Sequence, residues 1–90
     1  MINSVNSIDD VKLFVKDLMG ESLNYHPDND FRDYINISTG LPSYNEEDAM
    51  LRNKLNSDCF EVCSKYHYDL YELSMEIYLK FTGIDKYISL

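Results

Sequence analysis

The feature that most constrains this chain is an apolar stripe through its second half. Leu55, Cys59, Val62, Tyr66, Leu70, Leu73, Ile77, Phe81, Ile84 and Ile88 follow one another at steps of three and four. Those steps are helical, and Leu55, Tyr66, Ile77 and Ile88 repeat every eleven residues, which in one unbroken helix makes a nearly straight stripe. A helix of about 40 residues at ~1.5 Å per residue would span about 60 Å. No monomer of 90 residues can cover that length, so continuity demands an oligomer. Local chemistry favours a break instead. Asp69 followed by Glu72 has the form of a capping box, and His67 tolerates the left-handed conformation that ends a helix. The expectation is two helices, 46–66 and 70–82, the second closed by Gly83. The terminal turn 84–90 then tucks Ile84 and Ile88 back onto the core.

An earlier helix is expected over 8–19. Ser7 can cap it with Asp10 three residues on, and Ile8, Val11, Phe14, Val15, Leu18 and Met19 share one face. Gly20 stands where a left-handed cap belongs. Residues 20–45 have no helical period and hold Pro27 and Pro42. Alternation along this stretch places Phe31, Asp33, Ile35 and Ile37 on one side and Arg32, Tyr34 and Asn36 on the other. With Ser38-Thr39-Gly40 as the turn, this reads as a small hairpin, and Pro42 confines its second strand to an edge. Asn45 can cap the next helix, with Glu46, Glu47 and Asp48 in its first turn, where the helix dipole favours negative charge. The fold class is thus α+β, mainly α. Three helices surround one small core in a single domain over 1–90, with a short edge hairpin between the first two. A hydrophobic fraction of 44% supplies enough apolar surface for that core.

Charge narrows the partners. Sixteen acids against eight bases give a net charge of −8. This disfavours nucleic acid, whose binding relies on Lys and Arg neutralising phosphates, and equally an anionic membrane. It attracts a basic protein. Between Asp28 and Asp48 stand Asp28, Asp30, Asp33, Glu46, Glu47 and Asp48 with the single base Arg32. Tyr25, Tyr34 and Tyr44 flank the same stretch, and tyrosine is favoured at interfaces for its rigid area and polar tip. Tyr25, Asp28, Asp30, Asp33, Tyr34, Tyr44 and Glu46 are therefore the candidate partner-binding residues.

Cys59, Cys63 and His67, four apart, fall close together on a helix face. A structural zinc site wants four ligands. His26, the other histidine, stands in a distant loop beside Pro27, and His67 falls where the helix should end. The reading preferred is two core cysteines, since free cysteine is among the most buried residue types; a Cys/His metal site is the alternative. Catalysis through a Cys–His pair needs an exposed thiol near a base and an oxyanion hole, and no Gly-rich turn here presents a cysteine at a helix start. The run from Asp28 fails the calcium-loop pattern, with Asp33 where Gly belongs and Thr39 where Glu belongs. Neither a phosphate-binding loop nor a dinucleotide fingerprint is present. No cofactor is expected. With no signal-peptide pattern at its start and no membrane-length apolar run, the expected location is the cytoplasm. The functional expectation is a small acidic, non-catalytic interaction module, in its sharper form an inhibitor of a basic, nucleic-acid-handling protein. A homo-oligomeric helical module using the eleven-residue stripe is the rival.

Overall fold

The computed structural model describes residues 2–21 and 25–83. Three helices make up the described fold: α1 (Ile8–Gly20), α2 (Glu46–Lys65) and α3 (Leu70–Thr82). Each starts on a side-chain cap. Ser7 Oγ accepts the Asp10 N–H, Asn45 Oδ1 accepts that of Asp48, and Asp69 Oδ1 accepts that of Tyr71. Asp10 returns the favour by accepting the Asn6 N–H at 3.0 Å. Each cap satisfies a donor that the helix itself leaves orphaned, worth about 1 kcal/mol. α1 runs through Gly20, which does not take the left-handed conformation expected of it.

The long stripe is folded back on itself. His67 adopts a φ of +63°. The Tyr68 N–H then bonds the Cys63 carbonyl at 2.8 Å and the His67 N–H bonds that of Ser64. This is a Schellman closure built on histidine instead of glycine. Leu55, Cys59 and Val62 of α2 therefore meet Leu70 and Leu73 of α3 in one core, with Val11, Phe14, Val15 and Leu18 of α1. Of the described members of the stripe, Tyr66 and Phe81 stay about half exposed, at the C-terminal ends of α2 and α3. The terminal turn expected at 84–90 lies outside the described residues.

The hairpin is not formed. Among the described residues there is no strand, only a single antiparallel bridge between Ile35 and Pro42. Residues Phe31–Asp33 instead make one turn of 3₁₀ helix, capped by Asp30, whose carboxylate accepts the Arg32 N–H at 2.8 Å. Two physical reasons stand against a longer ladder. Phe31 turns into the core at 1% exposure, pulling the chain out of its alternation. Ile35 and Ile37, 58% and 100% exposed, have no layer to pack on. What remains is a tight loop, closed by Ser43 N–H to Tyr34 O and Asn36 N–H to Leu41 O.

Candidate functional site

The seven candidate residues gather around the 3₁₀ turn, with different roles. Phe31 is the hub. Tyr25, Tyr34, Tyr44 and Phe14 surround its ring at centroid distances of 6.3, 5.3, 6.0 and 6.2 Å. All three tyrosines are half-buried and packed against the core. Their hydroxyls are engaged within the chain. Tyr25 donates to Asn56 Oδ1, and Tyr44 donates to Glu21 Oε2 at 2.6 Å. Tyr34 Oη accepts from the His26 N–H and Asn29 Nδ2, both at 3.3 Å. Burial pushes the Tyr25 hydroxyl far above its ordinary range. Burial, then the Glu21 carboxylate, does the same to Tyr44.

α2 clasps this loop through residues the sequence reading passed over. Asn53 Oδ1 accepts the Phe31 N–H at 2.9 Å, and its Nδ2 donates to Asp30 at 2.9 Å. Asn56, buried, donates to the Pro27 carbonyl at 2.9 Å. Arg52 lies over the Tyr44 ring at 4.0 Å and reaches Glu21 at 3.5 Å, so one guanidinium joins α2, the loop and the end of α1. Loop backbone has no helix or sheet to satisfy it, so these side chains supply the missing partners. A faint signal for them existed: asparagine in mid-helix has poor propensity and wants a partner outside.

The carboxylates divide in two. Asp30 faces inward on its neighbours. Arg32 meets it with two guanidinium nitrogens, the closer at 2.7 Å, and with Asn53 holds it well below the usual carboxylate range. Asp28 accepts from the Tyr71 hydroxyl of α3 and stands beside His26, ring against Tyr71. Asp33 and Glu46 are exposed, and both contribute to the field that holds the Arg32 charge. Glu47 and Asp48 continue that acidic rim along the first turn of α2.

Cys59 and Cys63 are buried free thiols. Burial and the neighbouring sulfur push Cys59 up to about 12. His67 is exposed beyond the helix end, and His26 sits in the loop against Tyr71. Among the described residues no three of His, Cys, Asp and Glu come together as ligands for one ion. None of the described helices is long and apolar enough to cross a membrane. Comparison with known protein families, curated proteins and solved structures finds no match for this chain.

Proposed function

We propose that this chain is a small, non-catalytic protein-interaction module that meets a basic protein through the carboxylates of its loop and the start of α2. The observation that supports this reading is the division of labour around the 3₁₀ turn. Tyr25, Tyr34 and Tyr44 pack inward on Phe31, and Asp30 is spent on Arg32 and Asn53. Asp33, Glu46, Glu47 and Asp48 are left in solvent on a support fixed by hydrogen bonds to α2. Pre-fixed charges lose little entropy on binding and steer an oppositely charged partner. The tyrosines thus belong to the scaffold of the face, and its charge is the contacting part. In the sharper form of the reading, those carboxylates stand where phosphates would sit on a nucleic-acid-handling protein, which the chain thereby inhibits. Its place is the cytoplasm, where two buried thiols stay reduced. The stripe from Leu55 to Phe81 is largely consumed in one chain's core, so it supplies no argument for a second copy.

The test is affinity capture from the source cells with the wild-type chain and a variant carrying Asp33→Lys, Glu46→Lys and Glu47→Lys. All three positions are exposed, so the fold should survive, which circular dichroism checks. A basic partner held at low salt, released at high salt and missed by the variant supports the reading. A partner held equally by both chains contradicts it.

A further inference from the structure

α1 and α3 leave an open cleft of about 770 Å³ between them, on a surface that the acidic loop does not line. Its floor is apolar: Leu13 and Phe81 are 47% and 52% exposed there, beside the half-buried Ile77. Its lips are cationic, with Lys12 and Lys16 on α1 and Lys80 on α3. Lys12 and Lys16 are four residues apart, so like charges are neighbours on one helix face, an arrangement that slightly destabilises a helix on its own. Neither forms an ion pair among the described residues. The carboxylates at the cleft are Asp9 and Glu76, and Lys80 already reaches Glu76 at 3.5 Å. Three lysines against two acids make this lining locally positive in a chain of net charge −8.

We propose that the cleft binds an acidic amphipathic segment of a partner protein. Its apolar side chains cover Leu13, Ile77 and Phe81, and its carboxylates meet Lys12, Lys16 and Lys80. Apolar anchors inside a charged rim are the usual terms of helix-in-groove recognition. The charge pattern also chooses among occupants. A Debye length of about 8 Å at physiological salt lets a short segment feel mainly the cleft lysines. An anionic membrane or a second copy brings extended negative charge against the whole acidic chain, and is repelled.

The test is a titration of the full chain, labelled with nitrogen-15, with two synthetic helical peptides. Both carry the same Leu and Phe positions, one with Glu and the other with Lys at its polar positions. The Glu peptide should shift the amides of Leu13, Ile77 and Phe81 and bind about tenfold more tightly than the Lys peptide, since exposed ion pairs are worth a few-fold each. A variant with Lys12→Glu and Lys16→Glu, whose spectrum confirms its fold, should invert that order. Equal affinities, or peptide-induced shifts elsewhere, would overturn the proposal. So would cleft shifts that appear on concentrating the protein alone, which report a second copy, or tighter binding to anionic phospholipid vesicles than to the Glu peptide.

Discussion

The loop over α2 and the cleft between α1 and α3 use similar side chains to opposite ends. Phe31 in the loop is 1% exposed, while Phe81 in the cleft is 52% exposed. Tyr25, Tyr34 and Tyr44 are drawn inward, while Tyr68 and Tyr78 at α3 stay out. The difference lies in the backbone. A helix satisfies its own N–H and C=O groups, so α3 is free to leave its side chains in solvent. The loop has no such ladder and is stable only where Asn53, Asn56 and Asp30 complete its hydrogen bonds and Phe31 anchors it. The loop needs side-chain partners for its backbone; α3 satisfies its own backbone and leans on the core through Leu70 and Leu73.

The sharpest way to break the comparison is a pair of matched truncations. Phe31→Ala should cost about 3–5 kcal/mol, as for other buried aromatics, a large part of a total stability of about 5–15 kcal/mol. Phe81→Ala should stay within about 0.5–1 kcal/mol, since its ring is half in water. Urea denaturation of both variants measures the contrast, and equal losses would mean that the two regions are held alike.

Asn56→Ala sharpens it further. The change strands the Tyr25 hydroxyl and the Pro27 carbonyl, and should cost about 1–3 kcal/mol in the same assay. A neutral outcome would remove Asn56 from the clasp.

Alkaline pH probes the core beneath. The Cys59 thiol has an ordinary value of 9.0 and is held at about 12 in the fold. The unfolded chain therefore loses this proton first as pH rises. Stability is complete below about pH 9 and declines up to about pH 12, by at most ~1.4 kcal/mol per pH unit from this group. Cys59→Ala should flatten that part of the stability curve, read by denaturation at a series of pH values. Asp30 acts at the other end. Its lowered value means stability present above the unfolded carboxylate range, near pH 4, and lost as pH falls from there through the folded value.

The smallest effect belongs to the turn between α2 and α3. His67→Gly should relieve the left-handed strain and stabilise the fold by about 1 kcal/mol or less, read as a higher thermal midpoint, because glycine also loosens the unfolded chain. His67→Val should lower it.

How far the sequence carries can be judged from these same residues. Ser7, Asn45 and Asp69 announce their helices because a cap is decided within three or four residues. The turn at His67 is legible for the same reason. The loop is not. Alternation from Phe31 to Ile37 has the look of a strand, yet its fate is set by Asn53 and Asn56, which bond Phe31 and Pro27 from more than twenty residues away. The gathering of acids with tyrosines was visible in order along the chain, but which of them face solvent was not. Tyr25, Tyr34 and Tyr44 turn inward because Phe31 gives them a ring to pack on. The cleft left no signature, since Lys80 joins the Lys12–Lys16 pair only through the packing of α3 on α1.

The most direct test of the account is native-state amide exchange at Phe31 and Ser43, compared between wild type and Asn53→Ala. The account has Phe31 N–H bonded to Asn53 and Ser43 N–H bonded to Tyr34. Both should be protected in the wild type, and protection at Phe31 should fall in the variant while the mid-helix amides of α3 keep theirs. Free-chain exchange at both positions in the wild type would contradict a pre-fixed loop, and with it the fixed acidic face on which the proposed function depends.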